Sequence, residues 1–235
     1  MKIYYRLSDH GYQKVKPDYI NNEKCLTNLM LNFTDTYSDT VIRDELIVIA
    51  DNVGDETYEW LSSLDLNVKR TDFGSGAQSF NYVLDEAVKL DDDTTVYFVE
   101  DDYLHLPNSR KILKEGISLG ADYVSLYDHP DKYINKNEGG NPYVEDGGEV
   151  TKVFRSESCH WKLTNSTTMT FASKVKTLKE DLGIMKTWTI GTYPDDFKMF
   201  LELRENGRTL ITPLPGYSTH GETQWLSPFT DWRKV

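Results

Sequence analysis

The sequence predicts an α/β domain built on a mostly parallel central sheet flanked by helices. Three observations carry that prediction. Strand-like and helix-like segments alternate through the first half, the order that a parallel sheet with right-handed crossovers requires. Two strands, at 46–50 and 96–99, are apolar throughout, as strands covered on both faces are. Three strands end in polar tips: Ser8-Asp9, Asp51-Asn52 and Glu100-Asp101-Asp102. In a parallel sheet such tips share one edge, and ligands bind beyond that edge.

The elements follow in order. Residues 3–7 form the first strand, rich in β-formers and ending at the turn-prone 8–11. A helix starts near Asn22, with Leu26, Leu29, Met30 and Phe33 on one face. Strand 45–50 leads to a short helix over 57–64 and a short strand at 66–68. Gly74 and Gly76 mark a loop before a helix whose Phe80, Val83, Leu84, Ala87 and Val88 follow the 3.6-residue period. Asp91, Asp92 and Asp93 read as a solvated turn ahead of the acidic-tipped strand. A helix over 108–119 is expected with Asn108 as its cap, then a strand at 123–127.

Periodicity fails over 128–148, where a loop this long signals function or mobility. Strands are expected at 149–155, 160–163 and 167–172, in antiparallel pairing and smaller than the first half. A helix over 173–182 is expected to stop at Gly183. A further helix follows Asp195-Asp196 and stops at Gly207, before a strand at 209–212. The tail 213–235 reads as an irregular cover.

The 235 residues suffice for a full core in one domain. A net charge of -12 argues against nucleic acid and anionic membrane surfaces as partners. No apolar run is long enough for stable membrane insertion. The N-terminus lacks the marks of a signal peptide, and Cys25 and Cys159 match no disulfide or zinc framework. A cytoplasmic location is expected, the host cytoplasm for a viral chain. Aromatic residues make up 12% of the chain, a supply of stacking surfaces for sugars or bases.

Glu100, Asp101 and Asp102 repel one another in any closed site. Such a cluster persists in water or beside a cation that neutralises it. The motifs, in order, resemble the nucleotide-sugar glycosyltransferases of GT-A fold. The resemblance is to the inverting family 2 type and to small viral members. It rests on Asp51 after an apolar strand, the 74–76 loop with Asn81, Glu100-Asp101-Asp102, Asp195-Asp196, Arg204, Gly207 and His220. The chain departs from the pattern in Asn52-Val53-Gly54-Asp55 after Asp51, and in Asp-Asp where Glu-Asp is usual.

The resemblance implies one GT-A domain, with 1–125 as the nucleotide-sugar-binding half and 126–235 as the acceptor-side half. It implies metal-dependent, inverting transfer of a sugar from a nucleotide-sugar donor, UDP-linked, to a carbohydrate or other hydroxyl acceptor. Asp102 and His220 would hold Mn2+ or Mg2+, which stabilises the departing diphosphate. Tyr5, Arg6, Asp51, Gly76, Glu100 and Asp101 would contact the donor, with Lys69 or Arg70 as further anion partners. Asp196, or Asp195, would deprotonate the acceptor; helix capping is the competing role for such acids. Tyr127, His129, Trp161 and Trp188 are acceptor-side candidates. The rival readings are a binding module without turnover and a metal-dependent hydrolase.

Overall fold

The computed structural model describes residues 1–11, 14–34, 42 and 45–235. The chain opens with β1 (Lys2–Leu7), α1 (Asn22–Phe33), β2 (Leu46–Asp51), α2 (Asp55–Ser63), β3 (Asn67–Thr71) and α3 (Gly76–Ala87). It continues through β4 (Thr95–Glu100), β5 (Tyr103–His105), α4 (Ser109–Ser118) and β6 (Tyr123–Val124). The second half holds β7 (Val153–Arg155), β8 (His160–Leu163), β9 (Phe171–Lys174), α5 (Val175–Trp188), α6 (Asp196–Glu205), β10 (Leu210–Leu214) and β11 (Ser218–His220).

Among the described residues, nine strands form one sheet in the order β3-β2-β1-β4-β9-β6-β10-β8-β7, and β11 pairs with β5 in a separate small sheet. The block β3-β2-β1-β4 is parallel throughout. β9 runs antiparallel between β4 and β6, and β7 and β8 extend the sheet antiparallel beyond β10. The fold is thus the α/β class expected, with its antiparallel part in the second half.

Both faces of the parallel block are apolar, which is why its strands show no polar alternation. Ile3, Tyr5, Leu7, Val48, Tyr97 and Val99 face one core with α1, α2 and α4. Tyr4, Ile49, Val96 and Phe98 face the other with α3, α5 and α6. Val96, Tyr97, Phe98 and Val99 are each 0% exposed. At about 1.5–3 kcal/mol per buried side chain, this run anchors the strand that ends in acids.

Several local expectations are corrected. α5 runs through Gly183 to Trp188, because Ile184, Met185 and Trp188 continue its apolar face onto the second core. Asn108 stands at the cap of α4 with left-handed backbone, φ 69°, and no side-chain cap bond. The strand expected at 149–155 shrinks to β7, the one at 123–127 to β6, and the one at 167–172 shifts to β9. The tail is not wholly irregular, since it supplies β11. The 128–148 segment is held by buried charge: Lys162 Nζ lies 3.0 Å from Asp128 Oδ1, and Lys132 Nζ 2.9 Å from Asp131 Oδ1.

Candidate active site

The chain leaves β1 for β2 on one side and returns through β3 to β4 on the other. The carboxyl ends of β1 and β4 therefore flank a topological switch point, where α/β sheets open a crevice. Arg6 and Glu100 are register partners there. Hydrogen bonds join the neighbouring tips. The Ser8 amide donates to Asp101 Oδ2 at 2.8 Å. Asp9 accepts from the Gly54 amide at 2.9 Å and the Thr57 hydroxyl at 3.1 Å. Asp51 Oδ1 accepts from the Thr71 hydroxyl and the Phe73 amide, at 2.9 and 2.7 Å. A cavity of about 440 Å³ opens at this edge, lined among others by Arg6, Lys14, Lys16, Asp51, Glu100 and Asp196.

Each carboxylate of the β4 tip has its own partner. Arg6 Nη2 lies 3.4 Å from Glu100 Oε1, while Arg6 Nη1 donates to the Gly76 carbonyl at 3.1 Å. Burial and the neighbouring Asp102 charge hold the Asp101 carboxyl above the usual range. Burial works against the charge on Asp102 too, but His220, Lys14 and Lys16 hold its carboxyl well below that range. Lys14 Nζ is 3.5 Å and Lys16 Nζ 3.3 Å from Asp102 Oδ2. A loop of the same chain thus supplies the counter-charge that the cluster demands.

Pairing of β11 with β5 sets His220 opposite Tyr103, one residue from Asp102. His220 Nε2 lies 3.4 Å from Asp102 Oδ2. The next residue must be small: a Cβ on Gly221 would stand 2.7 Å from the Asp102 carbonyl oxygen and from Ile20 Cγ2. The two side chains expected to hold a metal are therefore adjacent. Their donor atoms, however, are turned toward ammonium groups, and Lys14 Nζ sits 2.8 Å from His220 Nε2. Among the described residues no group of three or more His, Cys, Asp or Glu could hold a metal ion. As arranged, the pair does not fit a divalent ion.

The second acid pair divides by geometry. Asp195 caps α6: its Oδ1 accepts from the Lys198 amide at 3.1 Å and its Oδ2 pairs with Lys198 Nζ at 2.7 Å. Burial opposes its charge, but Lys198 holds its carboxyl below the usual range. Asp196 is half-buried and lines the cavity. Burial first, then the Glu100 charge, push its carboxyl up to about 7. It accepts from the Phe197 amide at 2.7 Å, which fixes the carboxyl at the start of α6.

Gly76 begins α3 at the cavity wall, after the Ser75 cap. Tyr5 lies in the first core, donating its hydroxyl to the Asp101 carbonyl at 3.3 Å, and does not reach the cavity. Lys69 and Arg70 also stay outside it, paired with Glu86 and Asp55 at 3.4 and 2.8 Å. None of Tyr127, His129, Trp161 and Trp188 lines it. Trp161 is core, packed so closely that a Cβ on Gly116 would stand 2.6 Å from its ring. Sequence reasoning missed Lys14 and Lys16. Two lysines in the loop after the first strand of so acidic a chain were the available signal.

Among the described residues no helix is long and apolar enough to cross a membrane. No family model and no curated protein matches the sequence. Solved structures do match. GalNAc-T7, crystallised with UDP, GalNAc and Mn2+, aligns over 93% of this chain and 42% of its own, at TM-score 0.61 and 13% identity. TarS of S. aureus aligns over 90% of this chain and 35% of its own, at TM-score 0.50 and 16% identity. The chain spans less than half the length of either. With its switch-point cavity and mixed sheet, the chain has the GT-A glycosyltransferase fold.

Proposed function

We propose that the chain is an inverting glycosyltransferase using a nucleoside-diphosphate sugar, UDP-linked, as donor and a carbohydrate or other hydroxyl compound as acceptor. The observation that carries this reading is Asp196. A half-buried carboxyl with its pKa near neutrality lines the same switch-point cavity as the β4 tip. A general base works best when its pKa lies near the working pH.

In the reaction, Asp196 takes the proton of the acceptor hydroxyl as that oxygen attacks the anomeric carbon. The bond from that carbon to the diphosphate breaks, and its electron pair leaves with the nucleoside diphosphate. Residues 1–125 supply Arg6, Asp51, Gly76, Glu100 and Asp101 around the donor. Residues 126–235 supply the base. The expected Mn2+ or Mg2+ does not enter this scheme, because ammonium groups stand on its donor atoms. Asp195 serves as cap of α6.

The test is a thermal-shift screen of nucleoside diphosphates and nucleotide sugars, followed by a transfer assay that reads nucleoside diphosphate release with hydroxyl acceptors. A stabilising nucleotide shifts the melt by mass action. No shift with any nucleotide, and no release from any donor, would refute the reading.

A further inference from the structure

We propose that Lys14 and Lys16 form a built-in cation site that holds the nucleotide's diphosphate where a divalent ion would otherwise stand. The identity of the anion rests on the glycosyltransferase reading above. The cation site itself rests on three arrangements of side chains.

The first is occupancy of the donor atoms. Lys14 Nζ lies 2.8 Å from His220 Nε2, so this nitrogen faces a lysine rather than open cavity. Lys14 and Lys16 also approach the same Asp102 oxygen, at 3.5 and 3.3 Å. A metal ion would have to displace both lysines to reach these atoms.

The second is unused donor capacity. An ammonium carries three N–H donors, and these contacts use at most two on Lys14 and one on Lys16. Their side chains are 21% and 34% exposed, and both line the cavity.

The third is Arg6. It is 7% exposed, lines the same cavity, and its Nε has no hydrogen-bond partner. Its guanidinium adds a third cationic side chain to the wall that Lys14 and Lys16 line, a set suited to an anion rich in oxygen acceptors. The chain's net charge of -12 makes this concentration of cations a local feature. As the anomeric bond breaks, the added negative charge on the diphosphate falls on these N–H groups, which need no metal to stabilise it.

Calorimetry separates the possibilities, with UDP, ADP, GDP and CDP titrated in EDTA and in Mn2+. The expected result is one Kd, equal within about twofold in both buffers. Lys14→Ala and Lys16→Ala should each weaken it about tenfold or more, the loss of one charge-assisted hydrogen bond. Circular dichroism and a melt confirm that both variants are folded, and Lys14→Arg should keep most of the affinity. Binding that requires Mn2+ overturns the proposal and leaves the glycosyltransferase reading standing. Metal-independent binding that both alanine variants retain overturns it as well. Binding of none of the four nucleotides in either buffer overturns both readings.

Discussion

Asp196→Asn tests the base and its electrostatics in one variant. The wild-type carboxyl titrates at about 7 in the folded protein, against an ordinary 3.8. A folded pKa above the unfolded one means that the protonated form is favoured by folding. That contribution is fully present below pH 3.8 and is lost as pH rises through 7. Each pH unit of that interval corresponds to about 1.4 kcal/mol, so a fully dry carboxylate would cost the fold about 4 kcal/mol. Asparagine keeps the oxygen that accepts from the Phe197 amide and loses the charge. Relative to its difference from the wild type below pH 3.8, the variant should gain stability as pH rises, by up to about 4 kcal/mol at pH 8. Urea unfolding across pH 4.5–8.5 in EDTA measures this, since the stability difference follows the midpoint at constant slope. Transfer by the wild type should rise through pH 7, while the variant binds donor and transfers little at any pH. A stability difference that does not change with pH would refute the electrostatic account. Wild-type turnover by the variant would refute the base.

Asp195→Ala should cost about 1 kcal/mol through loss of the α6 cap and leave donor affinity unchanged, as read by a melt and by calorimetry. Arg110→Met removes the grip on the Glu45 carboxylate at 2.5 and 3.1 Å and leaves it the Met1 ammonium at 3.4 Å, and should cost about 1–3 kcal/mol in chemical denaturation. Burial opposes the Glu45 charge, but Arg110 holds its carboxyl below 4.5 in the fold. Its contribution is therefore present above pH 4.5 and should be lost as pH falls below that, visible as an acid-side drop in Tm absent from Glu45→Gln. Gly221→Ala should destabilise by about 1–3 kcal/mol through overpacking against the Asp102 carbonyl and weaken nucleotide binding, both measurable on one purified variant.

The parallel half of the fold was legible because a strand covered on both faces has no polar residue to interrupt it, as in Leu46–Asp51 up to its last residue. The acidic tip was legible for the converse reason, since charge at the end of such a strand must face an edge. β5 and β11 were not legible, because three residues carry too little periodicity and the pair is brought together by long-range contact. The end of α5 was misjudged because Gly183 stops a helix only where the chain needs left-handed backbone, and here the apolar face continues to Trp188. Asp195 and Asp196 look alike in sequence. The backbone of α6 separates them: one carboxyl turns back to the Lys198 amide while the next stands at the cavity. Lys14 and Lys16 escaped notice because their partner, Asp102, lies far along the chain and no local pattern encodes that contact.

The partners of the acidic tip come from distant stretches: Arg6 and Ser8 from the end of β1, Lys14 and Lys16 from the loop after it, His220 from β11. The tip itself is a liability until these arrive, since a buried carboxylate without a partner costs several kcal/mol. The site is therefore complete only when the tail has paired with β5. That dependence explains why a three-residue strand is fixed so tightly at Gly221. It also gives the lysine loop two duties that pull in one direction. In the empty protein its ammonium groups neutralise Asp102. With a diphosphate in the cavity the same groups have N–H donors to spare for it, so an anion can bind without leaving Asp102 unpaired.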